Sequence, residues 1–82
     1  MALLAQTGDH RGCMSRDVLV SFAANLRRRR KELGLSQEQL GARANIQMAD
    51  ISRYESGGRD PRISTVARLA EALDMPIADL LA

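Results

Sequence analysis

The chain is short of the residues that carry most chemistry. It has no Trp and only one each of Phe, Tyr, His and Cys. A lone Cys13 cannot close an internal disulfide, and with His10 as the only histidine there is no Cys/His set for zinc. Neither residue has a neighbouring base or nucleophile, and no glycine-rich phosphate loop is present, so enzymatic activity, a metal and a cofactor are not expected. Long hydrophobic runs are absent too. The apolar part of the opening "MALLAQTGDHRGC" is too short for a signal-peptide core, and no run could span a membrane. Cys13 is read as an ordinary thiol rather than a lipidation site. Together these features fit a protein of the reducing cytoplasm. With Phe22 and Tyr54 as the only aromatics, the core must be built from Leu, Ile, Val, Ala and Met.

What is present is an 82-residue chain with 45% apolar residues, enough for one domain and one small core but with little room for a deep cleft. The formal net charge is only +2, yet the pI is about 9.3 and the arginines cluster. Arg27 to Lys31 form an unbroken basic run, which points to an anionic partner and says nothing about fold. Residues 1–16 show no sustained periodicity, and Gly8, Asp9, His10 and Gly12 interrupt any helix, so a flexible tail is expected there, with Met14 as an alternative start.

From Asp17 a helical period sets in. Leu19, Phe22, Ala23, Leu26, Arg30 and Leu33 share one stripe, and Gly34 stops the segment, which predicts a first helix over about 17 to 33. Ser36 with Gln39 reads as a capping box for a second helix over about 37 to 44, with Leu40 and Ala44 facing inward. Asn45 suits a tight turn, since Asn tolerates a left-handed backbone. A third helix over about 48 to 56 turns Ile51 and Tyr54 inward and ends at Gly57–Gly58. "GGRDPR" is an exposed turn. A fourth helix over about 63 to 73 buries Val66, Leu69, Ala70 and Leu73, and Pro76 opens a short last helix with Ile77, Leu80 and Leu81. No strand signal appears, so the fold is expected to be all-α with five short helices, residues 17–82 forming one domain.

Two short helices about three residues apart define a helix-turn-helix if they cross closely. Gly41 stands inside the first of them at a cost of roughly 1 kcal/mol relative to Ala. Close passage of the next helix is the reading preferred here over drift in a surface helix.

Residues 26–81 resemble the Xre-type, Cro/phage-repressor-like helix-turn-helix family. The resemblance rests on Leu-Gly-Leu-Ser-Gln at 33–37, on Leu40, Ile51, Glu55, Gly57 and Pro61, and on "LAEALDM". It implies a compact five-helix, lambda-repressor-like DNA-binding domain, usually dimeric on its operator. The family commonly has Ala in place of Gly41 and Gly in place of Asn45, exchanges expected to be sterically mild. Gln47 stands where Ser or Thr often caps the third helix and is a weaker cap.

On this resemblance the third helix lies in the major groove. Gln47, Met48, Ala49, Ser52 and Arg53 form its candidate reading face. Arg53 offers a bidentate fork to guanine, and Met48 and Ala49 offer apolar contact to thymine methyls. Asp50 would repel phosphate, so it is expected either turned aside or accepting from a cytosine amine. Gln37, at a helix N-terminus, together with Ser56, Arg59, Arg62 and Arg27, makes up the phosphate-binding set. Arg43 is either a weaker phosphate contact or solvated. Successive helical residues turn by about 100°, so the basic run cannot share one face. Arg27, Arg28 and Lys31 are expected outside, whereas Arg30 falls on the apolar stripe and needs a partner. Glu55 is the obvious one, and the resemblance supports an Arg30–Glu55 structural pair.

The function expected is therefore a sequence-specific transcriptional regulator that binds a palindromic operator of double-stranded DNA as a homodimer and is controlled by its own concentration. The competing reading is an antitoxin, a protein-interaction module whose main partner is a toxin and whose DNA binding is autoregulatory. Ile77 to Leu81 is either the dimer face or a cap on the core.

Overall fold

A computed structural model describes residues 15–82. The expected tail, with His10, Cys13 and Met14, lies outside the described residues up to position 14. Ser15 and Arg16, assigned to that tail from sequence, instead open the first helix. α1 runs Arg16–Glu32, α2 Gln37–Ala44, α3 Met48–Glu55, α4 Ile63–Ala72 and α5 Ile77–Leu81. No strand occurs among the described residues.

Local signals account for several of these boundaries. Ser15 Oγ accepts from Val18 N at 3.3 Å, and Asp17 lies in the first turn, where the helix dipole favours an acid. α1 ends when Gly34 takes φ +72°. Its N–H donates to Lys31 O and that of Leu35 donates to Arg30 O, both at 3.0 Å, which satisfies two terminal carbonyls. Asp74, at φ 56°, closes α4 with the same bond pattern, Asp74 N to Glu71 O and Met75 N to Ala70 O. α2 carries the full capping box: Gln39 N donates to Ser36 Oγ at 3.0 Å and Ser36 N to Gln39 Oε1 at 2.8 Å.

The core is aliphatic around one aromatic pair. Phe22, Leu26, Leu40, Ala44, Ile51, Tyr54, Val66, Leu69, Ala70, Leu73 and Leu80 bury together, drawing on all five helices. Phe22 and Tyr54 meet edge to face with ring centroids 6.1 Å apart. Each large side chain here adds about 1.5–3 kcal/mol on burial, so no single layer dominates. Leu33 departs from the expected stripe. It follows the last helical residue, is 36% exposed, and the half-buried Leu35 packs against the core nearby. The α1 stripe therefore ends at Arg30.

α5 packs on α1 and α4. Leu80 is fully buried, so this part of the last helix caps the core, while Ile77 stays 38% exposed. Asn25 anchors the helix from below. It is buried, its Nδ2 donates to Leu80 O at 3.0 Å, and its Oδ1 accepts from Arg28 Nη1 at 2.8 Å. Arg29 Nε donates to Leu73 O at 3.0 Å, and Arg43 Nη1 to Ala72 O at 3.3 Å. Arg43, exposed on α2, thus reaches the carbonyl end of α4, where a cation suits the helix dipole.

Candidate nucleic-acid interface

α2 and α3 are joined by Asn45, Ile46 and Gln47. Asn45 adopts φ 58° and ψ 48°, the left-handed conformation its type tolerates, and Ile46 N donates to Gly41 O at 2.8 Å. A Cβ at Gly41 would collide with the Ile46 carbonyl oxygen. The clash is with backbone, so no side-chain rotation relieves it. The expectation that Ala is a mild exchange at this position fails: the turn passes too closely over α2. Gln47 makes no side-chain cap bond to α3, as its type implies.

Behind α3, on the side facing α1 and α2, lies an ion pair. Arg30 donates through Nε to Glu55 Oε2 and through Nη2 to Glu55 Oε1 at 3.0 Å, while its Nη1 reaches Leu35 O at 2.8 Å. Gln37 Nε2 adds a bond to Glu55 Oε1 at 3.2 Å. The Arg30 and Glu55 side chains are only 10% and 5% exposed. The hydrogen bond to Glu55 holds the guanidinium above its ordinary pKa, against the opposing pull of burial. α1, α2 and α3 are thereby tied at one point, and among the described residues no buried side-chain nitrogen or oxygen is left without a partner.

In front, Met48, Ala49, Ser52 and Arg53 are all exposed on α3, and Gln47 is exposed just before it. Arg27, Arg30, Gln37, Ser52, Glu55 and Ser56 line one shallow polar groove, so three candidate phosphate contacts from three helices and one base-reading candidate converge there. Ser56 Oγ donates to Arg53 O at 2.9 Å, which holds its hydroxyl against the end of α3. Arg59 and Arg62 are exposed beyond the helix end, outside that groove. Asp50 is held by arginine side chains. Its Oδ1 accepts from Arg59 Nη1 at 2.8 Å and lies 3.5 Å from Arg53 Nη1. Sequence reasoning missed this bridge. It also missed Asn25 and Arg29, whose only local signal was a polar residue beside an apolar stripe.

Residues 26–80 match the family model described as helix-turn-helix. The chain belongs to the Xre/Cro-type helix-turn-helix family of DNA-binding transcriptional regulators. Over 62 residues this helix-turn-helix chain is 40% identical to the HTH-type transcriptional repressor RghR of Bacillus subtilis (strain 168). The match covers 74% of this chain and 46% of RghR, so the chain spans about half the length of that relative. The structure resembles the restriction-modification controller protein C.AhdI of Aeromonas hydrophila, with TM-score 0.73 and 34% identity over 76% of this chain and 90% of that one. It also resembles the DNA-binding domain of the P22 c2 repressor, with TM-score 0.71 and 28% identity over 73% and 79% of the two chains. The five-helix, repressor-like architecture of this helix-turn-helix chain is thereby shown. No helix among its described residues is long and apolar enough to cross a membrane.

Proposed function

We propose that the chain is a cytoplasmic transcriptional repressor that binds a palindromic operator as a homodimer, with α3 of each subunit in the major groove. The observation that carries this reading is the division of α3 into two faces. One is clamped to α1 and α2 through Glu55, and the other presents Gln47, Met48, Ala49, Ser52 and Arg53 to solvent. A helix that must enter a groove needs such a rigid back and an unencumbered front.

Arg53 supplies the bidentate contact to guanine, Met48 and Ala49 touch thymine methyls, and Gln47 and Ser52 donate to base edges or the flanking backbone. Gln37, Ser56, Arg27, Arg59 and Arg62 hold phosphates and set the register. Gln37 keeps one amide hydrogen on Glu55 and has a second to offer. Repression follows the names of RghR and the P22 protein. Ile77 and Ala78, exposed beside the buried Leu80, and the partly buried Leu81 are left to a dimer contact on α5.

Selection of bound sequences from a random duplex pool, followed by footprinting, tests the reading. The expected result is a two-fold symmetric site with half-site centres one helical turn apart, about 10 base pairs. A single unsymmetrical half-site held at full affinity by one subunit would refute it. A protein that shifts no DNA alone but forms a stoichiometric complex with a second protein would favour the antitoxin reading.

A further inference from the structure

Asp50 stands where a carboxylate should harm DNA binding. It occupies the first turn of α3, beside the exposed reading face, and would meet a polyanion. Nevertheless its Oδ1 is bonded to Arg59 and lies within ion-pair distance of Arg53. The three side chains are 57% exposed for Arg53, 43% for Arg59 and 28% for Asp50. Exposed pairs of this kind add little to stability, so folding alone does not account for the arrangement.

The geometry suits a different task. Each guanidinium carries five N–H donors in a rigid fork. Only one Arg59 nitrogen is bonded to Asp50, so a fork of this shape can hold the carboxylate and still turn other donors toward DNA. The carboxylate between them biases the rotamers of both arginines, Arg59 through a hydrogen bond and Arg53 through a 3.5 Å ion pair, which lowers the ordering cost of a well-placed contact. The same carboxylate opposes any docking in which the arginines must swing away toward whichever phosphates lie nearest, because that strands a negative charge next to the backbone.

We propose that Asp50 is a specificity-determining positioning residue. It aims Arg53 and Arg59 for the specific complex and penalises the non-specific one. This rests on the reading of α3 as the base-reading helix.

The test uses operator duplex recovered by selection and a scrambled duplex, with binding measured across a salt series. Asp50→Asn keeps the shape and removes the charge, and Asp50→Ser, which also suits a first helical turn, serves as the second variant. With the charge gone, affinity for scrambled DNA rises several-fold and its salt slope steepens by up to about one unit per subunit. The operator-to-scrambled ratio falls by about tenfold, within the range of one lost bidentate base contact. Melting without DNA stays close to wild type. In an Arg53→Ala background, Asp50→Asn changes the ratio far less than it does in the wild type. Equal gains in affinity for both duplexes, in both variants, would overturn the proposal and leave Asp50 as mere repulsion. Loss of preference at a single cytosine-guanine pair with an unchanged salt slope would overturn it in favour of direct base reading. The reading face itself is judged separately by Arg53→Ala alone: an intact ratio there refutes α3 as the reader whatever Asp50 does.

Discussion

α3 carries two acids, and each meets arginine, but on opposite sides of the helix. Glu55 faces inward and receives a two-pronged bond from Arg30 with both side chains at or below 10% exposure. Asp50 faces the surface and shares one oxygen between Arg59 and Arg53 in side chains that remain substantially wet. The chemistry is the same and the solvent is not. Inside, removing either partner strands a charge in a poor dielectric, so the pair acts as an all-or-none lock on helix geometry. Outside, water and salt screen the attraction, and what remains of the pair is orientation. One helix thus holds a contact whose half-removal strands a buried charge and another that can be given up to a ligand.

The largest effect should come from breaking the inner pair. Arg30→Ala leaves Glu55 buried and partnered only by Gln37 and removes the bond to Leu35 O; thermal or denaturant unfolding without DNA should show a loss of about 3–5 kcal/mol. A variant that melts like the wild type would erase the contrast between the two faces. Replacing both partners, as Arg30→Met with Glu55→Leu, should recover much of that loss, since a well-packed apolar pair needs no compensating charge.

Next comes the turn that aims the outer face. Gly41→Ala drives a methyl into the Ile46 carbonyl and should cost about 1–3 kcal/mol in the same unfolding measurement. Free tolerance of Ala would mean that α2 and α3 shift apart without penalty, and the rigid back of the reading helix would be in doubt.

The outer arginines should leave melting almost untouched and change recognition. Arg53→Ala is expected to remove about 1–3 kcal/mol of discrimination at one base pair, seen as a relaxed preference between operator and altered duplexes. If it weakens all duplexes alike, Arg53 is a phosphate anchor. Arg59→Ala is the smallest effect: a uniform weakening with the salt slope reduced by about one unit per bound subunit. A change of base preference without a change in salt slope would place the loop after α3 in a groove.

Much of this molecule was legible before any coordinates. Ser36 with Gln39, Gly34, Asn45 and Gly57 mark helix ends through contacts within a few residues, which is the range at which sequence speaks directly. The stripe from Leu19 to Arg30, and the inward positions Leu40, Ile51, Val66, Leu69 and Leu73, follow from helical periodicity alone. Even the Arg30–Glu55 pairing could be anticipated, because a charge on an apolar stripe requires an opposite charge. The first helix departs from its periodicity at the edges, where Ser15 caps one residue earlier than expected and Leu33 slips out of the stripe once the helix has ended.

The sequence by itself determined the helices and their buried faces, because these depend on local hydrogen bonding and on a period of 3.6 residues. Only the tertiary structure decided how the arginines are divided. Arg29 finds Leu73 O across 44 residues, Asn25 finds Leu80 O across 55, and Arg59 returns to Asp50 across nine. The first two partners are chosen by the angles at which helices cross, which come from the packing of the whole core, and the third by the path of the loop that follows α3. The closeness of Gly41 to Ile46 is local by contrast: the left-handed turn at Asn45 brings the Ile46 carbonyl over α2, although a glycine in a helix announces only a possible approach and not the atom that makes it.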